Sequence, residues 1–249
     1  MKMQEGEEVM ANDNEMITVN EPDSAAAEAF RTLRTNITMR DFDKKIRMIN
    51  LISANAQESK STTALNLAYV YSQLGKKVLV IDMDLRLPSI HKKIGVRNKQ
   101  GLTDVVSGQK EFADCLEHYA PNMDVLLSGT KIPFASEFVQ SSALHGFLND
   151  IRDKYDLILI DCPPINLVTD GLIASSYCDG TLLCVASNMD EKKDLEKAKE
   201  LLEQMNINVL GVVMTRMPLV KKYSHYNYSY GYYGDSAYRS SDKRKNENK

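Results

Sequence analysis

Between residues 46 and 215 the chain alternates short unbroken apolar runs with longer stretches whose apolar residues recur at helical spacing. The runs are "IRMINLIS" (46–53), "KVLVID" (77–82), "MDVLLS" (123–128), "LILID" (157–161), "TLLCVA" (181–186) and "VLGVVMT" (209–215). Continuous apolar character, without in–out alternation, is the pattern of strands buried on both faces. A helix is predicted after the first run, to about Leu74, where Gly75 ends it. Others are predicted over 136–153, 168–177 and 190–205. A further helix starts at Asp23-Ser24, either of which could cap it, and runs through "AAAEAFRTLRTNITM". Repeated strand–helix alternation implies an α/β fold: a mostly parallel β-sheet flanked by helices on both faces, a Rossmann-like three-layer sandwich with right-handed crossovers. Ligands of such sheets bind outside the carboxyl ends of the strands.

Three regions follow from this pattern: a flexible acidic segment over 1–22, a domain over 23–220 and a flexible tyrosine-rich tail over 221–249. The 249 residues suffice for one large domain, and 43% hydrophobic content excludes a disordered chain. A net charge of −3 argues against nucleic acid as a partner. The charge is polarised, with one Lys against eight acids in residues 1–30 and seven Lys/Arg against three acids in 221–249. No apolar run approaches the ~20 residues of a membrane span, so direct membrane insertion is not expected. The acidic start is unlike a signal peptide, which points to a cytoplasmic protein. The four cysteines form no C-x-x-C pair, and three lie in or beside apolar segments, where reduced Cys behaves as a small hydrophobe.

Candidate chemistry begins at "SANAQESKSTTALNLA" (53–68), which stands between a strand and a helix and contains Lys60-Ser61-Thr62. A phosphate-binding loop of the form G-x-x-x-x-G-K-[ST] occupies that context and wraps phosphate oxygens in backbone N–H groups. In such a loop Lys60 would reach the outer phosphates and Ser61 would hold Mg²⁺. Both glycines are missing: Ala54 stands six before the lysine and Ser59 immediately before it. Glycine supplies positive φ and close approach of backbone to ligand. The segment alone therefore fits a nucleotide site and an ordinary exposed helix start about equally.

Carboxylates shift the balance. "VLVIDMDLR" ends a strand with Asp82 and Asp84, which share a face at i, i+2, and "LILIDCPP" ends another with Asp161. Asp is a common turn residue, which accounts for one such acid easily and for all three poorly. Three acids beside a Lys-Ser-Thr helix start suit a Mg²⁺–triphosphate site, because hard cations take carboxylate and hydroxyl oxygens.

The chain also resembles a known family, the bacterial tyrosine kinases of capsule and exopolysaccharide synthesis, P-loop proteins by fold. "EAFRTLRTNI" is similar to the family's E-x-x-R-x-x-R helix, at Glu28, Arg31 and Arg34; "VLVIDMDLRLPSIHKKIG" to its second Walker-type motif; "LILIDCPP" to its Walker B; and "YSHYNYSYGYYGDSAY" to its terminal tyrosine cluster. "GLTDVVSG" (101–108) and "LLSGTKIPFASEF" (126–138) resemble family segments too. The resemblance implies a cytoplasmic kinase, recruited to the inner face of the membrane, that uses ATP and Mg to phosphorylate its own tail in trans. Catalysis would rest on Lys60, Asp82 and Asp84, with metal at Ser61, Asp82 and Asp161. The nucleotide would lie against Ala56, Gln57, Glu58, Ser59, Lys60, Ser61, Thr62, Arg86 and Thr215. The acceptors would be Tyr223, Tyr226, Tyr228, Tyr230, Tyr232, Tyr233 and Tyr238. Glu28, Arg31 and Arg34 would form the contact of a ring-like homo-oligomer. A membrane-spanning chain-length or export activator and a cognate tyrosine phosphatase would be its partners. Against the family's P-G-x-G-K-S, this chain has Ala56-Gln57-Glu58-Ser59-Lys60-Ser61. Two readings stay open: an active kinase, and a weak or inactive regulatory scaffold of the same machinery. A positioning ATPase of the partition type fits less well, since its additional loop lysine is Asn55 here.

Overall fold

The computed structural model describes residues 15–41, 43, 45–187 and 192–217. Within them β1 (Met48–Ser53), β2 (Val78–Asp82), β3 (Leu116–Ala120), β4 (Met123–Leu126), β5 (Leu157–Asp161), β6 (Gly180–Ala186) and β7 (Val209–Thr215) form a single sheet in the order β3-β4-β2-β5-β1-β6-β7. All pairings are parallel except β3–β4. The helices are α1 (Ile17–Asn20), α2 (Ala25–Arg40), α3 (Lys60–Ser72), α4 (Ile90–Lys93), α5 (Leu102–Val106), α6 (Ala135–Val139), α7 (Ser142–Arg152), α8 (Asp170–Ser176) and α9 (Lys192–Gln204).

Alternate residues of each strand feed opposite cores, as the two-residue period of a strand requires. Ile49, Leu51, Val78, Val80, Leu157 and Leu159 face α2 and α3, packing with Ile37, Leu65 and Ala68. Met48, Ile52, Leu79, Ile81, Ile158 and Ile160 face the other way, onto Leu144, Leu148, Leu172, Ala198 and Leu202 of α7, α8 and α9. The expected three layers are present, and the compact unit ends at Arg216.

Local signals set the helix ends. Ser24 rather than Asp23 caps α2, its Oγ accepting from the Ala27 N–H at 3.1 Å. Gly75 takes φ 74° three residues beyond α3, a conformation that costs glycine little. The single helix predicted over 136–153 is two, because Ser141 stops to cap α7 through the Leu144 N–H. Three further corrections concern organisation. β3 and β4 make an antiparallel hairpin at the sheet edge, turning at Asn122 with φ 62°. The run 123–128 leaves the sheet at Leu126. The flexible lead expected over 1–22 is packed from Glu15 onward, where Met16 and Thr18 are buried and both the N–H and the hydroxyl of Thr18 donate to Asn66 Oδ1 of α3. Among the described residues no helix is long and apolar enough to cross a membrane.

Candidate nucleotide site

Three adjacent strands bring the site together. β2, β5 and β1 are neighbours in the sheet, with Asp82 in register with Asp161 and Asp161 in register with Leu51. Their carboxyl ends therefore set Asp82, Asp161 and Ser53 side by side, and the loop leaving β1 turns at once into α3, which begins at Lys60. A cleft of about 550 Å³ opens over this end, lined by the loop from Ala56 to Thr62 together with Asp84, Arg86 and Arg216.

The loop holds its shape without glycine. Gln57 has φ 63° and Ser59 has φ 60°, both left-handed, and these are the two positions where the resembled family carries glycine. A side chain there costs roughly 1–2 kcal/mol per residue, so such a conformation persists only when its surroundings impose it. Here Ser59 starts α3 through the Thr63 N–H, which donates to its carbonyl at 2.9 Å. The Thr215 hydroxyl donates to the Glu58 carbonyl at 3.1 Å. The buried Glu58 carboxylate accepts from the Asn55 N–H at 3.1 Å. Ala54 lies in the apolar core and is not among the residues with positive φ, so glycine is not needed at that position.

Lys60 is buried against the sheet, its Nζ donating to Ser53 Oγ at 2.8 Å. The acids ending the two neighbouring strands are out of water. Asp82 is wholly buried, its two oxygens accepting from the N–H groups of Asp84 and Ile90, each at 3.2 Å. Burial, followed by the charge of Asp161, pushes its carboxyl well above the ordinary range. Burial likewise pushes Asp161 up to about 6, although the Lys60 ammonium and the Ser61 hydroxyl pull it back. Ser61 is close enough to favour the charged form, yet neither Asp161 oxygen has a hydrogen bond of normal geometry among the described residues. Buried polar atoms are ordinarily paired, so this pair marks an unmet demand for positive charge. Two carboxylates and a serine hydroxyl are the hard oxygen donors that Mg²⁺ takes, and the residues present fit that ion.

The remaining candidates are placed as follows. Asp84 lines the cleft and accepts from the Leu87 N–H at 2.9 Å. Arg86 also lines it, with its guanidinium bound to Asp170 at 2.9 Å and to Ser136 at 2.8 Å. Thr62 donates to Glu15, which also pairs with Lys93. Thr215 commits its hydroxyl proton within the protein, toward Glu58 and Val185 carbonyls. On α2, Arg31 pairs with Glu28 at 2.9 Å on the surface, whereas Arg34 turns inward to the Val70 carbonyl of α3. The seven tail tyrosines lie outside the described residues.

Sequence reasoning overlooked Ser53, Glu15, Lys93, Asp170 and Arg216. Ser53 and Asp170 carried a usable signal, each being polar at the boundary of an apolar run; Glu15 carried none, since only the packing of α1 on α3 brings it to the cleft.

A parallel sheet with a phosphate-type loop at its central carboxyl edge and acids on the neighbouring strands is the P-loop nucleotide-binding fold. The AAA domain family model matches residues 46–209. The tyrosine-protein kinase YwqD of Bacillus subtilis (strain 168) is 36% identical over 220 residues, 88% of this chain and 91% of that protein. The putative tyrosine-protein kinase CapB of Staphylococcus aureus is 33% identical, covering 84% of this chain and 92% of its own. The crystal structure of the chimerical protein CapA2B2 superposes with a TM-score of 0.79 at 32% identity, over 84% of this chain and 92% of that one. The chain belongs to the bacterial tyrosine-protein kinase family.

Proposed function

We propose that the protein is a Mg-ATP-dependent protein-tyrosine kinase that phosphorylates the tyrosine cluster of its own tail in trans, within a ring-like oligomer, and so regulates capsular or exopolysaccharide synthesis. The observation that carries this reading is Asp161: a buried carboxylate with neither oxygen in a hydrogen bond of normal geometry among the described residues, beside Asp82, Lys60 and Ser61 at the mouth of a phosphate loop.

The residues divide the work. Ala56 to Thr62 would cradle the phosphates with backbone N–H groups, and Lys60 would leave Ser53 to meet their outer oxygens. Ser61, Asp82 and Asp161 would hold Mg²⁺, which neutralises phosphate charge when bound. A tyrosine hydroxyl has a pKa near ~10 and needs a base to attack at neutral pH. Asp84 lines the cleft while Asp82 is wholly buried, which favours Asp84 as the carboxylate that would take that proton. As the γ-phosphoryl passes to the tyrosine oxygen, ADP leaves and the proton stays on Asp84. Arg86 and Thr215 bound the cleft and the loop behind it. Glu28 is exposed and Arg31 partly so, and these two would meet the next copy. Its partners would be a membrane-spanning activator, which would recruit it to the inner face of the membrane, and a cognate tyrosine phosphatase.

The strained Gln57 and Ser59 favour one second reading, a weak or inactive regulator whose tail is phosphorylated by another kinase. Purified protein is incubated with Mg-ATP, with and without the intracellular segment of its chain-length partner, and phosphotyrosine is mapped by mass spectrometry. Tail phosphorylation by the wild type and none by Lys60→Met supports the kinase. Silence of both, with phosphorylated tail recovered from cells, establishes the regulator.

A further inference from the structure

A second cleft, of about 380 Å³, lies on the other side of the segment Leu85–Ser89 and shares Arg86, Leu87 and Ser89 with the phosphate cleft as a common wall. Its chemistry differs from that of its neighbour. Lys92 and Lys131 line it, and among the described residues no Asp or Glu does. Neither lysine forms an ion pair among the described residues, whereas the adjacent Lys93 is taken by Glu15 and Arg86 by Asp170.

The floor is rigidly built. Asn98 donates to Ser128 Oγ at 2.8 Å and accepts from the Gly129 N–H at 2.9 Å. Gly129 has φ 84°, and a Cβ there would stand 2.4 Å from Asp104 Oδ2, so only glycine fits. The Asp104 carboxylate behind this turn accepts from the Gly101 and Thr130 N–H groups and from the Thr130 hydroxyl, which fixes the turn. Two unpaired ammonium groups over a fixed polar floor make a receptor for an anion, and one of high charge density is favoured most.

The chain carries a matching ligand. Tyr226, Tyr228, Tyr230 and Tyr232 stand at every second position. In an extended strand such residues share one face, about 6.5–7 Å apart. A tail passing extended through the phosphate cleft would therefore carry the next tyrosine of the row toward the shared wall. Unmodified, that ring is neutral; phosphorylated, it brings about −1.5 to −2 charges.

We infer that the Lys92–Lys131 cleft is a subsite for a phosphotyrosyl side chain two residues from the acceptor tyrosine, so that one phosphorylation primes the next along the tail. The inference rests on the kinase reading, but the subsite binds whether or not the enzyme turns over.

The test is binding, not activity. Peptides of residues 224–234, unmodified and phosphorylated at Tyr230, are titrated by fluorescence anisotropy into the full chain with the nucleotide cleft saturated by Mg-ADP. The phosphopeptide should bind at least tenfold more tightly, and excess inorganic phosphate should weaken only that peptide. Lys92→Ala/Lys131→Ala should erase the preference while leaving Mg-ADP affinity and melting temperature unchanged, with Lys92→Gln alone giving a partial loss. Equal affinity of the two peptides for the wild type, or a preference that survives the double substitution, overturns the subsite. A chain that shows the preference yet phosphorylates nothing overturns the kinase reading and leaves the subsite standing.

Discussion

Asp82 and Asp161 are register partners on the neighbouring strands β2 and β5, both shut away from water at the carboxyl edge of the sheet. Burial raises the cost of ionising both, and the charge of Asp161 raises it further for Asp82. Such a pair is tolerable only if its charge is answered by Lys60 and by a bound cation. The same geometry that suits the proposed function should therefore destabilise the empty protein.

The sign of that effect is fixed by the direction of the shift. Asp161 is raised from the ordinary range to about 6 in the folded protein. Its contribution to stability is full below the unfolded pKa near ~4 and is lost as pH rises through the folded value. Without metal, the protein should lose up to ~3 kcal/mol between pH 4 and 7.5 on account of this group, with Asp82 acting in the same direction. Asp161→Asn should accordingly raise the melting temperature at pH 7.5 in EDTA and abolish the stabilisation by Mg-ADP. Thermal melts with and without Mg-ADP check both, and a lower melting temperature for Asp161→Asn in EDTA contradicts the account.

The glycine-free loop makes a second prediction. Gln57→Gly and Ser59→Gly relieve left-handed strain of roughly 1–2 kcal/mol each, but glycine loses roughly 0.5–1 kcal/mol more on folding. Stability should thus rise by about 1 kcal/mol or less per site. Nucleotide affinity should change more, because removing both side chains widens the cradle they line. Calorimetry of Mg-ADP binding to the double variant should show tighter binding than wild type; unchanged affinity would show that the cradle is already wide enough.

Much of this site was legible in the residues, and the reasons are specific. The runs ending in Asp82 and Asp161 are buried on both faces, so they read as central strands, and their terminal acids had to meet wherever those strands were neighbours. "LEHYA" escaped notice because an edge strand is only half covered; none of its residues is fully buried and no apolar run marks them. The missing glycines were visible, but not that Gln57 and Ser59 would adopt glycine's conformation. That outcome depends on contacts from Asn55, Thr63 and Thr215, the last more than 150 positions away. Glu15 was illegible for the same reason: tertiary packing decides it.

Asp104 offers a prediction independent of nucleotide. Burial pushes its carboxyl up, but hydrogen bonds from the Thr130 hydroxyl, the Thr130 N–H and the Gly101 N–H outweigh burial and leave it low. A depressed folded pKa gives stability that is present above the unfolded value near ~4 and is lost as pH falls through the folded one. Asp104→Asn should cost about 1.5–3 kcal/mol at neutral pH, the worth of hydrogen bonds to a charged acceptor. The deficit relative to wild type should shrink in acid. Urea titrations at pH 7 and pH 3 check this, and a pH-independent deficit would mean that the carboxylate charge is irrelevant.

The α2 face separates folding from assembly. Glu28 and Arg31 form an exposed pair, worth about 0–1 kcal/mol to the monomer. Arg34 instead gives its guanidinium to the Val70 carbonyl and helps hold α2 on α3. Glu28→Ala and Arg31→Ala should leave melting temperatures nearly unchanged yet abolish any oligomer seen by mass photometry, if this face meets the next copy. Arg34→Ala should lower stability by about 1 kcal/mol, through the lost charge-assisted hydrogen bond, even in protein kept monomeric. Should Glu28→Ala and Arg31→Ala assemble as the wild type does, the charged stripe is only a solvated surface, and contact between copies must be sought elsewhere on the domain.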